Sequence, residues 1–241
     1  KADGSADSYV YALHARLSQI MADAVHDGVI ARHPCSRRTS PGAGKQRPYV
    51  ATTAQVWALH DAVPAQLRAA VLLGAFAGLR TAEVCGLRVV DVDFMRGVVT
   101  PAVQYPADQL KSDTSRTPVP IPRSLALELS LGADGRAWVV EGPAGEQVGP
   151  WQIDRAVRGA RTDAGMPDGF RFHDLRHYFA SLLIAAGADV KVVQARLRHA
   201  SATTTLNTYA HLWPDTEEST RAAVDVVLAA RAESLRARRT F

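Results

Sequence analysis

The stretch RFHDLRHYFAS, Arg171–Ser181, puts His173, Asp174, Arg176 and His177 at the head of an otherwise apolar helical pattern. Charged and titratable groups are expensive to bury unless they are paired. Four chemistries therefore compete for this stretch: a metal site, an acid–base site, a phosphate grip and a solvated face. His173 and His177 would share one helix face, a spacing that suits zinc. The metalloprotease pattern, however, needs glutamate after the first histidine, and here Asp174 stands. No third ligand is evident, and Arg176 would set a fixed positive charge beside the cation. No metal is expected.

Further candidates lie elsewhere in the chain. Arg80 and Glu83, in AGLRTAEVCGLR, are one helical turn apart and can meet. Lys111 opens the polar run KSDTSR. His199 and Tyr209 fall in LRHASATTTLNTY. Each alone has a plain structural reading: an ion pair, a solvated lysine, a loop histidine, a half-buried tyrosine.

The elements that must hold these residues are mostly helical. Ser8 to Ala31 has helically spaced apolar positions, among them Leu13, Leu17 and Ile20, with Gly28 near its end. The segment 32–49 is rich in proline and glycine and carries Arg37, Arg38, Lys45 and Arg47, the composition of a basic linker. Thr53 reads as the cap of a helix to Ala62, followed by an apolar helix from Ala65 to Ala77 closed by Gly78 and a short one from Thr81 to Leu87. Val89 to Ile121 changes to short β-rich runs, predicting two or three antiparallel strands with Lys111–Arg116 joining two of them. Helices return over Trp151–Ala164, His173–Ala186 and Val190–Leu197, the last capped by Asp189. Ser201 caps another to about His211, and a final amphipathic helix runs from Glu217 to Arg238. The predicted class is mainly α with a small antiparallel sheet (α+β).

Composition narrows the partners without choosing one. The 241-residue chain carries a formal charge of +4, with an isoelectric point near 9.3, so nucleic acid is a permitted partner. No run of apolar residues is long enough to span a membrane, and no signal peptide opens the sequence. Cys35 and Cys85 form no metal-binding pattern, which points to a reduced, cytoplasmic protein. The first residue is Lys1, so the sequence reads as a fragment of a longer chain.

Taken in order, Arg80, Lys111, His173, Arg176, His199 and Tyr209 resemble the tyrosine recombinase (phage integrase) family. GLRTAE, KSDTSRTPVPIP, HDLRH and LRHASATTTLNTYAH carry the resemblance, which covers about Thr52 to Leu212. It implies the fold of that family's catalytic domain over 46–216. It makes 1–45 the last helix of a core-binding domain plus a basic linker. It leaves 217–241 as a helix that docks on a neighbouring protomer or on its own domain. One departure is visible: the family usually has glycine before the second histidine, and this sequence has Arg198.

The resemblance implies a DNA phosphodiester as substrate and an enzyme needing no metal, ATP or other cofactor. Arg80 and Arg176 would clamp the non-bridging oxygens, since a guanidinium fork can grip two at once. Tyr209 would attack to give a 3′-phosphotyrosyl link. His173 would accept its proton, and Lys111 would protonate the departing 5′-oxygen. His199 would donate a hydrogen bond to the phosphate, and Glu83 would orient the site. His177 is read as structural support. Arg37, Arg38, Lys45, Arg47, Lys191, Arg196 and Arg198 are candidates for DNA backbone contacts. The implied partners are double-stranded attachment sites, further copies of the chain up to a tetramer on DNA, and accessory DNA-bending or directionality proteins, with no membrane. Two other readings stay open: a type IB topoisomerase-like DNA-relaxing enzyme, and a catalytically inactive DNA-binding relative.

Overall fold

The computed structural model describes residues 6–36, 38–40, 42, 48–109, 116–213 and 225–230. The chain divides into two compact units, Lys1–Arg47 and Pro48–Phe241. The first is built on helix α1 (Asp7–His26), after which Gly28 takes a left-handed conformation (φ 72°). The His33 imidazole then ties the following chain back, with Nε2 2.9 Å from the Ser18 carbonyl oxygen and Nδ1 accepting the Cys35 amide at 3.1 Å. Leu13, Leu17 and Ile20, the apolar positions read from the sequence, are exposed. Among the candidate DNA contacts, Arg38 is exposed, while Arg37, Lys45 and Arg47 lie outside the described residues.

The second unit opens with α2 (Thr53–Ala62). Its cap is Thr52, one residue before the position expected. The Thr52 hydroxyl accepts the Gln55 amide, and the Gln55 side chain accepts the Thr52 amide, which satisfies two otherwise orphaned donors. A 3-10 turn (Ala65–Leu67) leads into α3 (Arg68–Ala77). This helix is apolar almost all round, with Val71, Leu72, Leu73, Gly74 and Ala75 all buried, so it forms the centre of the domain. Burying each large aliphatic side chain here contributes roughly 1.5–3 kcal/mol. Gly78 ends α3 at φ 62°, and the Leu79 amide reaches back 3.2 Å to the Leu73 carbonyl. Helix α4 (Thr81–Gly86) follows at once.

Among the described residues, the strands are only two residues long and form two sheets rather than one. β1 (Val92–Asp93), β2 (Val98–Val99) and β5 (Val119–Pro120) make an antiparallel sheet in the order β1-β2-β5, with Val92 opposite Val99 and Val99 opposite Val119. β3 (Val103–Gln104) and β4 (Asp108–Gln109) form a separate hairpin. Pro101, Pro106, Pro118 and Pro120 account for the fragmentation: proline cannot donate to a ladder, and Pro120 sits on an edge strand, where that is tolerated. Residues 110–115 lie outside the described residues, and Lys111 with them.

Helix α5 (Arg123–Leu131) has no counterpart in the sequence reading; it buries Leu125, Ala126 and Leu129. α6 (Pro150–Ala160) starts with proline in the first turn and stops short of the expected Ala164. α7 (Phe172–Ala185) packs on α3, and Gly74 permits the approach: a Cβ there would sit 2.8 Å from the Phe172 ring. α8 (Val190–Leu197) is capped by Asp189, whose side chain accepts the Lys191 and Val192 amides. α9 (Ala202–Tyr209) is capped by Ser201 and runs into a 3-10 turn (Ala210–Leu212). Of the last expected helix, residues 225–230 are helical and the remainder lies outside the described residues. Among the described residues, no helix is long and apolar enough to cross a membrane.

Candidate active site

Three junctions of the second unit supply the site: the α3–α4 turn, the first turns of α7, and the α8–α9 turn with the end of α9. At the first, Gly78 reverses the chain and leaves Arg80 extended at the head of α4. Glu83 holds Arg80 twice, accepting its backbone amide at 2.8 Å and Nη1 at 2.9 Å. The Glu83 side chain is only 3% exposed, whereas that of Arg80 is 38% exposed, so Arg80 presents its guanidinium to solvent from an anchored base.

Helix α7 sorts its residues by face. Phe172, Leu175, Tyr178 and Phe179 are buried among core side chains. Asp174 accepts the Arg171 amide at 2.7 Å and so closes the helix start. His173 is exposed, and its ring meets that of His177 edge to face with centroids 5.1 Å apart. Arg176 is buried and donates through Nη1 to the Gly78 carbonyl and through Nη2 to the Leu197 carbonyl. One guanidinium thereby joins the ends of α3 and α8 to α7. Burial, then the charge of Arg80, pulls Arg176 down to about 9, which leaves it cationic at neutral pH.

In the α8–α9 turn, Arg198 takes the left-handed conformation (φ 52°) that caps α8. Its guanidinium reaches Glu83 Oε2 at 2.5 Å with the side chain 0% exposed. The expectation that Arg198 contacts DNA phosphates is therefore corrected: the charge lies inside, on a carboxylate. Lys191 is exposed and Arg196 partly so on α8. The adjacent His199 is fixed by the Gln194 side chain, which donates to its carbonyl at 3.2 Å, and its Nδ1 lies 3.0 Å from the Thr205 hydroxyl.

Tyr209 ends α9 and is 1% exposed. Its phenol oxygen lies 2.6 Å from His177 Nδ1, and its ring is parallel to that of His199 at 6.5 Å. The imidazole bonded to the phenol thus belongs to His177, which the sequence reading assigned to support. The signal was available in the helix spacing, because His173 and His177 share a face, but only the fold shows which one Tyr209 meets.

Electrostatically the site keeps these groups neutral. Burial raises Tyr209 to about 12; Arg176 works in the opposite direction and loses. Burial also lowers His177 to about 4, with His173 and Arg176 adding to the effect. It lowers His199 to about 4 as well, with Arg176 and Arg80 contributing. Among the described residues, no three His, Cys, Asp or Glu side chains are grouped to hold a metal ion.

Arg80, His173, Arg176, His199 and Tyr209 thus come together from separate elements, all within the stretch that matches a known family. The model of the Phage integrase family matches residues 50–215. The chain belongs to the phage integrase family. Among its relatives in the family is a tyrosine recombinase XerC of Thermodesulfovibrio yellowstonii, 29% identical over 56% of this chain and 46% of that protein. A tyrosine recombinase XerC of Mycobacterium sp. (strain KMS) is 31% identical over 78% of this chain and 67% of that one. The chain spans about half the length of the first of these relatives. The solved Tn1549 transposon integrase, in complex with transposon right end DNA, superposes with a TM-score of 0.76 over 94% of this chain and 81% of that one at 18% identity. The fold is that of the integrase family's catalytic domain, mainly helical with small antiparallel sheets.

Proposed function

We propose that this chain is a site-specific DNA recombinase that cuts and rejoins double-stranded DNA through a 3′-phosphotyrosyl intermediate on Tyr209. The observation that carries the reading is a buried phenol bonded to His177, with His199 beside it and Arg176 acting on it, while Arg80 and His173 act on the same His199. The Tyr209 oxygen attacks the phosphorus, and the bond from phosphorus to the 5′-oxygen breaks. The phenolic proton passes to an imidazole; His177 is bonded to it at rest, and the exposed His173 stands beside His177. Lys111 delivers a proton to the 5′-oxygen. A different 5′-hydroxyl then attacks the phosphotyrosine and restores a phosphodiester, so no ATP is consumed.

Arg80, partly exposed and anchored by Glu83, is the guanidinium that meets the phosphate first. Arg176 has two of its donors on carbonyls, leaving further N–H groups for the transition state. Losing one such donor is worth roughly 3–4 kcal/mol, or 10²–10³ in rate. Because Tyr209 is buried and neutral at rest, DNA binding must bring its oxygen and a phosphate together before attack.

The active form is an oligomer on its attachment sites. Supporting this, Val226, Val227 and Leu228 expose apolar side chains on the helical residues 225–230. An apolar pocket of about 650 Å³, lined by Ile184, Ala188, Val190, Leu206 and Trp213, offers such a helix of a neighbour a place to dock. Accessory DNA-bending or directionality proteins would act on that assembly.

A nicked suicide site tests the reading. The parent should form a covalent protein–DNA adduct, and Tyr209→Phe should form none while binding DNA as the parent does. Plasmid relaxation without strand exchange would favour a topoisomerase, and binding without any adduct would favour an inactive relative.

A further inference from the structure

We infer that Arg198 is a positioning residue, an internal cation that locks Glu83, and through it Arg80, to the turn carrying His199. The inference rests on the recombinase reading and concerns the same site.

Arg198 is an unfavourable residue for its position on two counts. Its φ of 52° is left-handed, a conformation that strains a non-glycine residue. Its guanidinium is also withdrawn from water, at 0% side-chain exposure. Glycine would remove both penalties. What Arg198 gains is a set of contacts to one pair of residues. Its Nη2 donates to Glu83 Oε2 at 2.5 Å, and its carbonyl accepts from Arg80 Nη2 at 3.4 Å. Glu83 in turn holds Arg80 through both carboxylate oxygens.

The residues that Arg198 joins lie 115 and 118 positions away in sequence, on the other side of the site. Two consequences follow. The α8–α9 turn is fixed to the head of α4, so His199 and Arg80 keep a constant separation. The charge balance also changes. Arg80 and Glu83 alone would cancel, whereas Arg198 supplies a second positive charge to Glu83 and leaves the field of Arg80 available to an anion.

Single-turnover formation of the covalent adduct on a suicide site, measured beside DNA affinity, tests this. Arg198→Met, close in length but uncharged, should slow adduct formation at least about tenfold, since misplacing a reacting group by an ångström can cost on the order of 10²-fold. DNA affinity should stay within about twofold of the parent, because the side chain is buried away from DNA. Arg198→Lys should recover part of the rate. In a Glu83→Gln background, Arg198→Met should add nothing, because its action runs through that carboxylate. Parental cleavage by Arg198→Met, or an equal loss with and without Glu83→Gln, overturns the inference. Should Arg198→Met not fold, Arg198→Gly relieves the backbone strain and carries the same comparison. Should the parent itself form no adduct, the recombinase reading has failed, and the NMR signal of the Arg80 side-chain Nε–H decides for Arg198. That signal must shift in Arg198→Met and stay in place in a remote control, Arg68→Met.

Discussion

The phenol oxygen of Tyr209 and Nδ1 of His177 lie 2.6 Å apart, 32 residues distant in sequence, in a pocket that leaves Tyr209 1% exposed. With Tyr209 raised to about 12 and His177 lowered to about 4, the proton stays on oxygen, and the phenol donates to a neutral imidazole. The nucleophile is held ready in place but not ionised. A spectrophotometric titration of the parent minus Tyr209→Phe should show no phenolate from Tyr209 at pH 10, its signal rising only toward pH 12 or on unfolding. A phenolate in that difference near pH 10 would mean that the side chain already lies outside its pocket.

The same burial makes stability depend on pH. His177 and His199 have folded pKa values of about 4 against the usual 6.5. Below pH 6.5 the unfolded chain takes up protons that the folded chain refuses until about pH 4. Stability contributed by these groups is therefore fully present above pH 6.5 and declines as pH falls to 4. Asp174, raised by burial, has the opposite sign and favours the folded state at the acid end of that range. Urea unfolding at pH 7 and pH 5 should show the parent losing more stability than His177→Gln does. An equal loss in both would remove His177 from the effect.

Gly78 links fold to site. It sits at φ 62°, an added Cβ would fall 2.5 Å from Phe179 Cδ1, and its carbonyl accepts from Arg176. Gly78→Ala should combine a left-handed penalty of about 1–2 kcal/mol with an overpacking penalty of about 1–3 kcal/mol. We expect a loss of at least about 2 kcal/mol by chemical denaturation, together with slower adduct formation as Arg176 shifts. A loss under about 1 kcal/mol would show that the turn rearranges freely.

Much of this architecture can be read from local signals. Asp189 and Ser201 cap the helices they were expected to cap, because an N-cap is a contact within a few residues. Gly78 closes α3 for the same reason. Thr52 rather than Thr53 caps α2, a choice that depends on the Gln55 side chain reaching back. Helix α5 leaves little periodic signal in the sequence, because its apolar face is only Leu125, Ala126 and Leu129, set among prolines and turns. The site's residue types were legible, but not its pairings. Whether Arg198 faces DNA or Glu83, and whether Tyr209 meets His173 or His177, depends on contacts between elements far apart in sequence. Periodicity assigns a residue to a helix face and says nothing about which distant element that face meets.

Lys111 lies outside the described residues, so its proposed role is best tested by chemistry. Breaking the phosphorus–oxygen bond releases an alkoxide, a poor leaving group that needs a proton as it departs. A general acid typically contributes 10²–10⁴-fold to such a step. Lys111→Ala should therefore slow cleavage of ordinary DNA by about 10²-fold or more. A substrate with sulfur in place of the 5′-oxygen leaves as a thiolate, whose conjugate acid has a pKa of roughly 8.5 and needs little help. On that substrate the defect of Lys111→Ala should shrink to less than about tenfold, while Arg80→Ala, which removes a phosphate contact rather than a proton, should remain as defective as on oxygen. Equal defects of Lys111→Ala on oxygen and sulfur would take the proton away from Lys111 and assign it to another group at the site.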